Sequence, residues 1–281
     1  MRVLNELEIG VMFWAEPEAT ALIRRAKAAG LRCGQLGIPP DMQLEGAAER
    51  WRQALDAEDF ILVTVFAAFG GESYADIPTV RRTVGFVPRE SRAARVSRML
   101  EISEFAAALG VGSIACHIGC IPEDPSDPDY SEIVDVVRRI ADHAGRHGQT
   151  FALETGQEPA RVLRGFIEDV ERPNVRVNFD PANMILYGAG DPIEAFRELS
   201  PYVVSVHAKD GDWPPEDRPG ALGQEQPLGE GAVGIERFIK ALREAGYRGT
   251  LNIERELDDP EQKWRDVAAA ARLLRSLVAV S

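Results

Sequence analysis

The fold class this sequence predicts is α/β, a single-domain (β/α)8 TIM barrel over residues 1–281. Eight apolar, strand-like segments alternate with helix-patterned ones, and strict alternation at this count favours a closed parallel barrel over an open doubly wound sheet. The length suits one large barrel, and a hydrophobic content of 45% can fill its core. Four successive strands in the C-terminal half end on Glu154, Asp180, His207 and Glu254, and strand ends are where a barrel gathers its chemistry.

Taken in order, 7–13 reads as the first strand and 17–29 as a helix, with Pro17 suited to a first turn and Gly30 to a helix stop. Strand 33–38, helix 46–57 and the strongly apolar strand 60–69 follow. The stretch 70–88 is rich in Gly, Pro and turn residues and has little period. It is a candidate lid or substrate loop, or else a variable surface excursion. Helical period returns over 89–109, and SIACHIG at 113–119 is a fourth strand that carries His117. After the loop IPEDPSDPD, a helix spans 130–147 and stops at Gly148. The remaining strands fall at 150–155, 175–180, 203–209 and 250–255, and the remaining helices at 160–170, 191–199, 234–245 and 261–279.

Composition narrows the function. There are 32 Lys and Arg against 45 Asp and Glu, a net charge of −13, which repels a phosphate backbone and excludes nucleic acid as a first partner. No stretch approaches the roughly twenty apolar residues of a membrane span, and MRVLNELEIGV lacks the apolar core of a signal peptide. The cytoplasm is therefore the expected compartment. Cys33, Cys116 and Cys120 form no disulfide framework and read as small buried thiols. Neither GxGxxG nor a Walker A loop is present, so nucleotide-binding folds lack their fingerprints.

The four strand ends act as a set. Glu154, Asp180, His207 and Glu254 are separated by 26, 27 and 47 residues, about one βα unit each except for an excess in the last interval. That excess is the Pro- and Gly-rich segment 210–234, which must loop over the barrel mouth. Period two within the strands turns Asn178, Ser205 and Asn252 inward with the ligands and leaves Phe151, Val177, Val204, Val206 and Ile253 outward. Three carboxylates and one imidazole suit one divalent cation. Mn²⁺ or Mg²⁺ is favoured by the oxygen-rich set, with Co²⁺ or Zn²⁺ also able to fit. A cation with open positions could take the carbonyl and adjacent hydroxyl of a sugar and stabilise the enediolate left by proton loss between them. The plainer alternative is that the polar strand ends cap the barrel and bind water.

VNFDPAN, SVHAKD, PLGEG and NIERE, with His117 on the fourth strand, resemble the xylose isomerase-like barrels of the sugar phosphate isomerase/epimerase superfamily, over nearly the whole chain. In ketose 3-epimerases of that superfamily the four corresponding residues bind the metal. The resemblance thus implies Glu154 and Glu254 as the acid/base pair of a sugar or sugar phosphate isomerase or epimerase; members are often dimers or tetramers, which leaves a homo-oligomer open, since nothing in this chain marks an interface. Two departures surround the substrate: Asn183 stands where those epimerases place a histidine, and Trp213 where they place an arginine. Lys209, two residues past His207, should point into the same mouth; His117, Gln157 and Glu158 are further substrate contacts by strand-end position. For His117 the alternative is a hydrogen bond within the wall, and for Lys209 and Asp210 a surface ion pair.

Other features read as structural. His143 and His147 have a zinc-compatible spacing but no evident third ligand, so a solvated helix face is expected. Phe13, Trp14 and Phe66 belong to the core or line the mouth, and Arg81 and Arg82 are solvated or meet a phosphate. Rival functions are a keto-sugar or inosose-type dehydratase using the same base and metal, a non-catalytic sugar-binding barrel, and, disfavoured by charge and by four histidines in all, an endonuclease IV-like phosphodiesterase.

Overall fold

In a computed structural model that describes residues 4–279, eight parallel strands close into a barrel. These are β1 (Ile9–Trp14), β2 (Cys33–Ile38), β3 (Ile61–Ala67), β4 (Ser113–Cys116), β5 (Thr150–Glu154), β6 (Val175–Phe179), β7 (Val203–Ala208) and, after a hairpin, β10 (Leu251–Ile253). β1 pairs with both β2 and β10 and so closes the ring. The ends of the expected domain, residues 1–3 and 280–281, lie outside the described residues.

Helices α1 (Ala19–Ala28), α2 (Ala47–Glu58), α4 (Arg89–Ala108), α5 (Pro128–Arg146), α6 (Ala160–Val170), α8 (Pro192–Leu199), α9 (Ile235–Glu244) and α10 (Pro260–Ala279) follow the strands in turn. Between wall and helices lies the main core, where Phe179, Phe196 and Phe238 pack with centroids 5.4–5.7 Å apart. Each fully buried phenylalanine of this kind contributes about 1.5–3 kcal/mol.

Asp-Pro opens four of the helices, with Asp at the N-cap and Pro in the first turn. Asp127 accepts from Asp129 N, Asp191 from Ile193 N and Glu194 N, and Asp259 from Glu261 N and Gln262 N. The fourth is α7 (Pro181–Leu186), a short helix the periodicity does not announce, capped by Asp180.

Two excursions fold over the mouth. Segment 70–88 contains α3 (Ile77–Thr83), and two arginines of α4 hold it: Arg95 donates to Gly85 O and Gly70 O, and Arg92 to Phe86 O and Val87 O. Segment 210–234 forms an antiparallel hairpin of β8 (Asp210–Asp212) and β9 (Gln224–Gln226). Buried Asp210 gathers the turn that follows, accepting from the backbone N–H groups of Gly211, Gly229, Gly231 and Val233 at 2.9–3.1 Å. A Cβ on Gly231 would lie 2.4 Å from that carboxylate, so only glycine fits there. The excursions meet where Ile77 N donates to Gly220 O at 2.9 Å.

Inward and outward faces follow period two with one correction. Val204, expected outward, packs against the inner cluster of Met12, Phe66, Ala115 and Ala152. The β6–β7 register slips there, pairing Val177 with Val203 but Asn178 with Ser205, and a bulge of this kind breaks the alternation.

Candidate active site

The C-terminal strand ends bring Glu154, Asp180, His207 and Glu254 together. Each offers one ligand atom, and the four atoms lie within 4.8 Å of one another. His207 Nδ1 is 2.9 Å from Glu154 Oε1, 3.1 Å from Glu254 Oε2 and 3.8 Å from Asp180 Oδ2. Neighbouring ligands around an octahedral ion with bonds of about 2.0–2.1 Å are spaced by about 2.9 Å, so a small divalent cation fits with slight adjustment.

Asp180 supplies a sharper test of that fit. Its Oδ1 accepts from Asn183 N at 3.0 Å as the cap of α7, while Oδ2 is buried with no hydrogen-bond partner. The other three Asp-Pro caps are exposed, whereas Asp180 is fully buried. A buried carboxylate oxygen without a hydrogen bond is costly; Lys209 Nζ and His207 Nδ1 each stop 3.8 Å from Asp180 Oδ2, too far to hydrogen-bond it, so an ion among the neighbouring ligand atoms would complete its coordination.

The barrel interior fixes His207 from beneath. Its Nε2 lies 2.9 Å from Gln35 Oε1, and Gln35 Nε2 donates to Asn178 Oδ1 at 3.0 Å. Ser205 Oγ donates to the same Asn178 oxygen. Asn178 Nδ2 also lies 3.1 Å from Nε2, but the shorter contact, to the Gln35 acceptor, takes the ring proton, and Nδ1 is the atom turned to the carboxylates, the usual arrangement of a metal-binding imidazole. Gln35 was not singled out from sequence; its signal is a lone amide in the strand CGQLGI.

Charge is concentrated here. Burial works against the His207 imidazolium, but Glu254 and Glu154 outweigh it and hold its pKa well above the ordinary value. Lys209 is likewise held charged against burial, by Glu254, Glu256, Asp180 and Glu225. Burial pushes the Asp180 carboxyl up despite Lys209. For Glu254 burial acts upward too, yet Lys209, donating at 3.0 Å, and His207 keep the carboxyl well below the usual range.

Above the four residues lies a cavity of about 240 Å³ lined by Trp14, Phe66, Tyr74, Leu186 and Leu222, with Glu72, Glu225 and Glu256. His117, Asn183 and Lys209 line it as the sequence suggests. His117 Nδ1 accepts from Gln157 Nε2 at 2.7 Å, which leaves its Nε2 proton facing Glu154 Oε2 at 3.4 Å. Asn183 Nδ2 donates to Glu154 Oε1 at 3.3 Å. A Cβ on Gly156, which has φ +136°, would sit 2.4 Å from Asn183 Cβ, so this glycine lets the loop after β5 close on α7.

Three expectations change. Trp213 lies past the last paired residue of β8, is 47% exposed and does not line the cavity. Glu158 is buried in a neighbouring groove with Arg81 and Cys120, and burial raises its pKa to about 8. Lys209 and Asp210 form no pair with each other: Lys209 turns to Glu254 and Asp210 to the backbone of its loop. Phe13 belongs to the outer core, stacked on Trp51, and Arg82 is exposed. Burial raises the Cys33 thiol to about 12 and Cys120 to about 11, consistent with inert thiols. Glu72 and Tyr74 come from the stretch without pattern, and Glu225 from β9, where it accepts from Arg255 Nη1 at 2.7 Å.

The chain resembles known proteins throughout its length. A crystal structure of a xylose isomerase domain protein from Planctomyces limnophilus is 46% identical and superposes with a TM-score of 0.92, each chain covered over 97%. A xylose isomerase-like TIM barrel protein from Mycobacterium smegmatis, solved in complex with magnesium, is 18% identical with a TM-score of 0.69, covering 92% of this chain and 87% of that one. Among curated relatives, the L-ribulose-5-phosphate 3-epimerase UlaE of Salmonella paratyphi A is 25% identical over 67% of this chain; the match spans 65% of that protein, less than two thirds of its length. Among the described residues no helix is long and apolar enough to cross a membrane. The xylose isomerase-like TIM barrel family model matches residues 23–277, and the chain belongs to that family.

Proposed function

We propose that the protein is a divalent-metal-dependent isomerase or epimerase of a small sugar, with Glu154 and Glu254 as its acid/base pair. The observation that carries this reading is the convergence of both glutamates with Asp180 and His207 on one point beneath a small cavity. Three oxygens and one nitrogen favour Mn²⁺ or Mg²⁺. Held by these four residues, such an ion would act as a Lewis acid on a substrate carbonyl and its adjacent hydroxyl.

The remaining work falls to side chains. One glutamate, ionised, takes the proton from the carbon beside the carbonyl, and the other, protonated from solvent, delivers its own proton to the opposite face or the neighbouring carbon; exchange with solvent then resets the pair. Lys209 keeps Glu254 ionised and so fit to accept. Asn183 orients Glu154 by donating to Oε1, and the His117 Nε2 proton faces its other oxygen. Trp14, Phe66, Leu186 and Leu222 wall the cavity and exclude water.

The substrate class follows from charge and size. The cavity lies below the roughly 300–1,000 Å³ of drug-sized sites. Five glutamates line it, and the single lysine is already paired. A neutral sugar suits this lining better than a sugar phosphate, although the Salmonella relative is named for a phosphorylated ketose.

The test is metal content of protein purified without chelator, followed by deuterium uptake from D₂O into ketoses, aldoses and their phosphates. One bound ion with exchange into a neutral sugar is expected, and Glu154→Gln or Glu254→Gln should slow that exchange by about 10²–10⁴-fold. Loss of water from the substrate would move the assignment to a dehydratase. Exchange unaffected by both substitutions would overturn the acid/base pair.

A further inference from the structure

A second group of metal-binding side chains sits at the far end of the barrel. His143 in the last turn of α5 and His147 at its C-cap are four residues apart and share one helix face. From the last turns of α4, Glu104 reaches between them: its Oε1 lies 3.1 Å from His143 Nε2 and 3.1 Å from His147 Nε2. The three ligand atoms lie within 4.8 Å of one another. We propose that Glu104, His143 and His147 form a second divalent-metal site, of zinc-binding chemistry, distinct from the mouth.

Two imidazole nitrogens and one carboxylate oxygen are a donor set that selects zinc over magnesium or manganese, with water in the fourth position. A tetrahedral centre with bonds of about 2.0–2.1 Å has ligand-to-ligand edges of about 3.3 Å, close to both 3.1 Å separations. Hydrogen bonding alone does not account for the arrangement. His147 Nε2 is aligned on the carboxylate, whereas His143 Nε2 is shielded from solvent and has no hydrogen-bond partner. Glu104 is exposed, so an ion can enter from solvent.

Position defines the role. Both helices end here just before β4 and β5 begin, on the face opposite the mouth, where barrels keep residues for stability. The buried Ser103 Oγ to Gln149 Oε1 hydrogen bond, 2.6 Å long, already ties the same two segments. Zinc would clamp α4 to α5 beside it, with no contact to substrate.

Dialysis of metal-free protein against zinc, with elemental counting per chain, tests the site. His147→Gln and Glu104→Gln, both at solvent-accessible positions, should each bind one zinc fewer than the unaltered chain and keep its melting temperature in the absence of metal. The zinc-induced rise in melting temperature should shrink in both. In His207→Ala, where the mouth set is broken, the zinc lost to His147→Gln should still be present. Equal zinc counts in the unaltered chain and both variants would overturn the proposal, as would zinc that disappears only with His207→Ala.

Discussion

Replacing Gln35 with leucine should weaken divalent-metal binding at the mouth without removing a single ligand. Gln35 is fully buried and contributes two contacts, Oε1 at 2.9 Å from His207 Nε2 and Nε2 donating to Asn178 Oδ1 at 3.0 Å. Leucine is close in volume, so little cavity forms, and Asn178 Oδ1 keeps the Ser205 hydroxyl. His207 loses the acceptor for its ring proton. Loss of such an outer partner costs about 10–100-fold in metal affinity, or about 1.4–2.7 kcal/mol. An orphaned buried donor adds about 1–3 kcal/mol of lost fold stability. Manganese titration against a competing fluorescent chelator measures the first, and urea unfolding of the metal-free protein the second. Gln35→Glu keeps an acceptor at this position and should retain more affinity than Gln35→Leu. A folded Gln35→Leu protein with unchanged affinity would refute the claim that Gln35 holds the imidazole in its binding tautomer.

Other residues have separable consequences. Asp180→Asn should keep α7 capped while lowering metal affinity, whereas Asp180→Ala should lose both, with a further stability loss of about 0.5–2 kcal/mol visible on unfolding. Glu158 is held protonated by burial up to about pH 8, against 4.5 for the free carboxyl, so the folded chain keeps a proton that the unfolded chain has released. Its contribution to stability therefore falls as pH rises from about 4.5 to 8, at about 1.4 kcal/mol per tenfold of proton affinity. Glu158→Gln should stabilise the protein at pH 9 and change little at pH 4; equal melting temperatures at pH 9 would contradict this. Asp210→Ala removes the acceptor for four backbone N–H groups. It should cost about 2–4 kcal/mol and open 213–233 to limited proteolysis, while Asp210→Asn should do less.

The framework was legible because its signals are local. Apolar runs and their helical partners locate all eight barrel strands to within a few residues, and period two turns Asn178, Ser205 and Asn252 inward as found. Strand-end position likewise brings His117 and Lys209 to the mouth. What escaped depends on pairing at a distance. The bulge that turns Val204 inward exists only in the register of β7 against β6. Glu72 and Tyr74 reach the cavity because Arg92 and Arg95, from a helix later in the chain, hold their segment. Trp213 misses the mouth because β8 and β9 pair, and a three-residue hairpin strand leaves no periodicity to read. Glu104, which meets His143 and His147 at 3.1 Å, lies some forty residues earlier on another helix, so the spacing of the two histidines does not announce it. Glu256 carried a usable signal: it stands two residues past Glu254, just beyond the end of β10, and lines the same cavity.

The floor of the cavity and one part of its wall come from different parts of the chain. Glu154, Asp180, His207 and Glu254 stand at the ends of barrel strands, while Glu72, Tyr74, Leu222 and Glu225 come from the two excursions that meet at Ile77 and Gly220. Heredity can therefore revise one without disturbing the other. An insertion or substitution in 70–88 or 210–226 reshapes what the floor is shown and leaves the four strand-end residues in register. Exchanging those two segments together between family members, as a single graft, is the natural route to transferring substrate preference. Exchanging either one alone would break the seam at which they join.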